Sequence, residues 1–72
     1  MTLSHLVLWH LRIFGPCSVA DLIRTTRLQR RQVVGSLRDL RENGSADRCM
    51  RARYRITDDG RRRLQQPRIV MF

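Results

Sequence analysis

Two groups of arginines carry most of the chemistry this sequence can do. Arg30, Arg31 and Arg38 fall where a helix would gather them towards one side, with Gln29 and Gln32 among them and Val34 and Gly35 between. Arg48, Arg51, Arg53 and Arg55 crowd a second, shorter stretch. Guanidinium forks match phosphate oxygens and the O6/N7 edge of guanine, and a glutamine amide can bond adenine in the same two-pronged way. The matching partner is a polyanion, with nucleic acid ahead of an anionic membrane. The same residues have plainer readings. The first group would also serve as a solvated helix face, and the second as charges that keep an exposed hairpin from pairing with other chains.

The charge balance bears on that choice. Fifteen basic residues stand against six acidic ones, a formal net charge of +9, and every basic residue is arginine. The absence of lysine is equally well explained by a GC-rich codon preference. Codon preference does not produce the excess of positive over negative charge, and that excess is the signal for a polyanionic partner.

Length and the remaining residue types exclude other classes. A chain of 72 residues makes one domain, spanning 1–72, that buries roughly 60–65% of its unfolded surface, too little for an enclosed pocket. There is no Ser/His/Asp or Cys/His arrangement, phosphate loop or carboxylate pair placed for catalysis, so no enzyme and no cofactor are expected. Cys17 and Cys49 form no C-x-x-C pair, and His5 and His10 do not share a helix face. Neither a metal site nor a disulfide is expected, and reduced thiols point to the cytoplasm. No apolar run reaches the ~20 residues of a membrane span, and the N-terminus has no signal-peptide pattern.

The elements that must position the arginines follow from periodicity and punctuation. A first helix runs from Thr2 to Phe14 and closes at Gly15-Pro16. It carries one apolar stripe of Leu3, Val7, Leu11 and Phe14 with Leu8 alongside, and a second of Leu6, Trp9 and Ile13. Ser18-Val19-Ala20-Asp21 opens a second helix with a capping-box-like start, which Thr25-Thr26-Arg27 breaks after two turns. Leu28 anchors the turn. A third helix, Gln29 to Glu42, buries Val33, Leu37 and Leu40 and stops at Asn43-Gly44. That inward stripe turns Arg31, Gly35 and Arg38 outward. Gly35 costs about 1 kcal/mol of helix propensity; close approach of DNA and close packing of another helix are equally good reasons for it.

Residues 45–48 and 53–57 form a hairpin with its tip at 49–52, its first strand weakened because Ser45 and Ala46 offer little to bury. Tyr54 and Ile56 point to one side, Arg53 and Arg55 to the other. Thr57 caps a short basic helix around Arg61-Arg62-Arg63-Leu64, with Asp58 and Asp59 where a helix N-terminus favours negative charge. The fold class is α+β and mostly α: a winged helix-turn-helix, with a three-helix core, a two-stranded β-hairpin wing and a short C-terminal helix.

The order of three segments resembles bacterial winged-helix transcription regulators of the MarR and ArsR type over about Leu6 to Leu64. The segments are Gly15-Pro16-Cys17-Ser18-Val19-Ala20-Asp21-Leu22, then Arg30-Arg31-Gln32-Val33 leading to Leu37-Arg38-Asp39-Leu40-Arg41-Glu42-Asn43-Gly44, then Tyr54-Arg55-Ile56-Thr57-Asp58-Asp59-Gly60. The resemblance implies helix 29–42 as recognition helix and 48–55 as wing, in a minimal module of phage or plasmid type. Ser45-Ala46 departs from the usual apolar pair, and the long dimerising helices and ligand pocket of MarR proteins have no counterpart, so no small-molecule effector is expected.

Site residues on this reading are Gln29, Arg30, Arg31, Gln32, Val34, Gly35 and Arg38 in the major groove. Arg48, Arg51, Arg53 and Arg55 take the backbone or minor groove, and Ser18 and Arg27 touch phosphates. Leu6, Trp9 and Ile13, with Ile69, Val70 and Phe72 from the tail, are candidates for a homodimer surface; the competing reading folds the tail over that stripe within one chain. The expected function is a sequence-specific double-stranded DNA-binding repressor. The alternative is a winged-helix module for an acidic protein partner. RNA binding is disfavoured because few aromatics lie near the basic face.

Overall fold

A computed structural model describes residues 2–65, the last by its backbone only. The expectations for Ile69, Val70 and Phe72 lie outside these residues. The order of elements is α1 (Leu3–Phe14), β1 (Cys17–Ser18), α2 (Val19–Thr26), α3 (Arg30–Glu42), β2 (Ala46–Cys49), β3 (Arg53–Ile56) and α4 (Asp58–Gln65).

Each helix starts and stops for a local reason. Thr2 caps α1 by accepting the His5 N–H at 3.1 Å, and Gly15, at φ 78°, ends it. Ser18 and Asp21 form the expected reciprocal box, with Asp21 N–H on Ser18 Oγ at 3.1 Å and Ser18 N–H on Asp21 Oδ2 at 3.2 Å. The backbone N–H of Ser18, then its hydroxyl, hold the Asp21 carboxyl below the ordinary aspartate range. Arg27, left-handed at φ 62°, closes α2. The third helix begins one residue later than expected, because Gln29 is its cap.

The core is a triangle of α1, α2 and α3. Val7, Leu8 and Leu11 meet Leu22, and Val33, Leu37 and Leu40 close the set. The two ends of the α1 stripe do not join it: Leu3 is 41% exposed at the start of the helix and Phe14 58% at its end. Beyond Leu11 the chain leaves the three-helix contact, so the period continues in sequence after the core has ended.

The hairpin is part of a three-stranded antiparallel sheet, ordered β1-β3-β2. Two residues, Cys17 and Ser18, pair with Tyr54 and Arg53. So short a strand has no alternation to detect, which is why the sequence suggested two strands. The pairing of β2 and β3 is Ala46 with Ile56, Asp47 with Arg55, Arg48 with Tyr54 and Cys49 with Arg53.

Ser45 and Ala46 are each only 1% exposed, which reverses the expectation that they had little to bury. The start of α4 packs against the Ser45 backbone. A Cβ on Gly60 would collide with the Ser45 carbonyl oxygen and lie 2.8 Å from Ile56 Cγ1. Thr57 N–H donates to that same Ser45 oxygen at 3.0 Å. Thr57 Oγ1 donates to Gly44 O at 2.6 Å and accepts Gly60 N–H at 3.0 Å, capping α4 at the residue expected from sequence.

At the tip, Arg53 N–H closes on Met50 O at 3.0 Å. Arg51 and Ala52 between them take φ 38° and 54°. Two consecutive positive φ values match a type I′ turn, whose preferred residues are Asn-Gly rather than Arg-Ala. Thermal or urea unfolding should separate the two tight points. Gly60→Ala should cost about 2–3 kcal/mol by overpacking, whereas Ala52→Gly should stabilise by about 0.5–1 kcal/mol by removing left-handed strain.

Candidate nucleic-acid interface

The outward stripe of α3 is Arg31, Gly35 and Arg38. Four- and three-residue steps stack them along the helix, the two arginines about 10 Å apart along its axis. Both arginines are exposed. Nothing lies within 4 Å of a Cβ built on Gly35. Of the two reasons for this glycine, packing of another helix is therefore not met among the described residues. Between the guanidiniums the helix presents bare backbone, and Val34, 40% exposed, flanks the gap.

Arg30 and Gln29 are exposed at the start of the same helix. Gln32 is half-buried, and its Oε1 accepts the Gln29 N–H at 2.9 Å. Engaged with its own helix start, that oxygen is not free for a bidentate adenine contact unless the cap opens.

The wing arginines divide between the two faces of the sheet. Arg48 shares a face with Tyr54, and together with Arg38, Arg41, Glu42 and Asp47 it lines an open groove between α3 and β2. Beside it, Tyr54 closes a smaller depression with Val19, Val34, Leu37, Arg38 and Arg41. Arg53 and Arg55 stand on the other face. Arg55 borders a separate cleft with Arg12, Asp47, Asp58 and Arg61, and Arg53 lies close enough to Asp21 to influence its charge. Arg51 projects from the turn.

Arg41 belongs to this groove and is absent from the residues expected from sequence. Its signal was available, three residues beyond Arg38 on the exposed side. Ser18 Oγ is engaged as the α2 cap, and Arg27 is exposed in the turn before α3.

The ion pairs among the described residues are Arg24 with Asp21, at 3.7 Å, and Arg62 with Asp59. The arginines of α3 and the wing therefore have no carboxylate partner within 4 Å there. Among the described residues no helix is long and apolar enough to cross a membrane. Among the described residues no cluster of three or more histidines, cysteines or carboxylates could hold a metal ion.

On α1, Leu6 and Trp9 are half-buried and Ile13 is 63% exposed, beside the exposed Phe14. Arg12 lies over the Trp9 ring at 5.5 Å. Cys17 is buried, and its thiol donates to Gly15 O at 3.2 Å. Burial, then the nearby Asp21 charge, raises its pKa, so it is no poised nucleophile.

No family model and no curated protein matches this sequence. Among solved structures, the chain is similar to BpsR of Bordetella bronchiseptica, in work on the mechanism by which 6-hydroxynicotinic acid regulates DNA binding of that protein. The TM-score is 0.84 at 25% identity, over 92% of this chain and 50% of the BpsR chain. The fold is a winged helix-turn-helix. The chain spans half the length of that neighbour.

Open space at Gly35 makes a clean prediction for the winged helix alone. Gly35→Ala should stabilise the free protein by about 0.8–1 kcal/mol, raising the thermal midpoint by about 4–8 °C. A lowered midpoint would mean that the Gly35 face is occupied in the free protein.

Proposed function

We propose that this winged helix is a sequence-specific double-stranded DNA-binding regulator that acts by occupying its site, as a repressor does. One observation carries the reading: the Arg31–Gly35–Arg38 stripe, which has no carboxylate partner among the described residues and is bare at its centre. A helix presented to the major groove needs donors that reach base edges and a waist that lets the backbone approach. Arg31 and Arg38 are assigned to base edges. Arg30, Arg41 and Arg48 are assigned to the phosphates flanking the groove between helix and wing. DNA binding by the BpsR neighbour supports the same reading.

The exposed part of α1 supports a homodimer. Ile13 and Phe14 are exposed there beside half-buried Leu6 and Trp9. A second copy would cover this patch and place two recognition helices for half-sites about 34 Å apart. Sedimentation at tens of micromolar should show a dimer for the native chain and a monomer for Trp9→Lys. A native monomer would remove the dimer from the model.

Duplex binding measured against salt tests the DNA assignment. With roughly four to six phosphate contacts per subunit, log affinity should fall against log salt with a slope of about −4 to −5. Arg31→Ala and Arg38→Ala should each relax preference at one base position by about 1–3 kcal/mol. Gly35→Ala should weaken specific binding while stabilising the fold. Equal, weak binding to every duplex, with capture of an acidic protein instead, would replace the DNA reading by a protein-interaction module.

A further inference from the structure

The tip of the wing holds the most exposed large apolar side chain of the described residues, Met50 at 75%. It stands beside the only pair of consecutive non-glycine residues in left-handed backbone there, Arg51 and Ala52. The two features have a common physical reading. A hairpin of this geometry is normally closed by Asn-Gly, which enters positive φ with little strain. Arg-Ala closes it at a cost, and the hydrogen bond from Arg53 N–H to Met50 O holds it shut. Observed strain of this kind persists where the surroundings over-determine it, and it concentrates at contact sites.

The strain fixes a direction for two side chains. Asn-Gly would leave the extremity of the hairpin blunt. Arg51 places a guanidinium there, next to a flexible thioether at the first position of the turn. No core residue meets Met50, which lies outside the hydrophobic cluster. Four-residue strands carry the tip roughly 13 Å beyond the sheet root, far enough to leave the groove read by α3 and meet the neighbouring one.

We propose that Met50 and Arg51 form a minor-groove wedge, with Arg51 drawn into the groove and Met50 inserted at a base step, so that the protein bends the duplex it binds. This inference rests on the DNA-binding reading and adds an activity to it. Arginine is attracted by the negative potential of a narrow minor groove. Methionine is among the apolar side chains that unstack a step and kink DNA towards the major groove. Pyrimidine–purine steps open most easily, so the wedge adds a preference for TA or CA/TG at a position that α3 does not touch.

The test uses the full chain and a duplex selected from a random pool. The duplex carries a donor–acceptor pair at its ends and 2-aminopurine at the candidate step. The native protein should shorten the end-to-end distance and brighten the 2-aminopurine. Met50→Gln, nearly isosteric but polar, should abolish both signals and lose about tenfold in affinity, with an unchanged salt slope and thermal midpoint. Met50→Leu should keep both signals, and Arg51→Gln should reduce the salt slope by about one. If Met50→Gln matches the native protein in affinity and in both signals while the native salt slope stays steep, the wedge is wrong and DNA binding stands. If the native protein shows no salt-dependent duplex binding, the DNA reading fails and the wedge falls with it.

Discussion

The position of the wing depends on a few atoms behind it, where the first turn of α4 rests on the backbone at Gly44 and Ser45. The Ser45 carbonyl accepts the Thr57 N–H and at the same time forms the surface against which Gly60 is pressed. The Ser45 N–H turns back to Leu40 O at 2.8 Å and Asn43 Oδ1 at 3.0 Å. One residue therefore ties together the end of α3, the start of β2, the end of β3 and the start of α4. Ser45 Oγ is buried with no hydrogen-bond partner among the described residues. Small size rather than polarity is what this position uses. The root of the wing is thereby set relative to α3, which is why Arg48 faces Arg38 and Arg41 across a groove.

Stability is distributed unevenly about that node. The rear of the molecule follows local preference: reciprocal caps at α2, a threonine cap at α4 and an apolar triangle. The basic side departs from it repeatedly. Among the described residues, Gly35 interrupts a helix with nothing packed against it, and the non-glycine residues at positive φ are Arg27, Arg51 and Ala52. Sequences agree with their fold at most levels, and disagreements gather at functional or strained sites. In this chain they gather on one side, the side that bears the α3 stripe, the turn before α3 and the wing tip.

Much of the fold was legible in the sequence because its signals are local. The Ser18/Asp21 box, Gly15-Pro16, Asn43-Gly44 and the Val33–Leu37–Leu40 stripe each act within a few residues, and each marks its element to within a residue or two. What was not legible depends on contacts distant in sequence. Ser45-Ala46 looked weak because a strand is expected to bury large apolar residues, whereas the space there is already filled by α4. Phe14 continues the α1 period after its packing partners end. The two-residue β1 exists only because β3 lies beside it. Within the candidate site, the arginines were visible as a set, but their division between the faces of the sheet follows from the Arg48–Tyr54 register. The capping use of Gln32 and the membership of Arg41 also needed the three-dimensional arrangement.

That division bears on how the charge acts. An arginine already paired with a carboxylate must give up one anion to take another, so little is gained by the exchange. Arg24 and Arg62 are in that position, and Arg55 and Arg61 share a cleft with Asp58. The stripe on α3, Arg48 and the wing tip are not held by such pairs. Their countercharge is the mobile ion atmosphere, and a polyanion that displaced it would return salt to solution with a gain in entropy. With Asp21 and Asp59 paired to Arg24 and Arg62, the arginines of α3 and the wing are left without an ion-pair partner among the described residues. Glu42 and Asp47, unlike Asp21 and Asp59, line the groove with Arg38, Arg41 and Arg48. Their carboxylates lower the positive potential along that side of the groove, so less of its charge is available to an anion than the number of its arginines suggests.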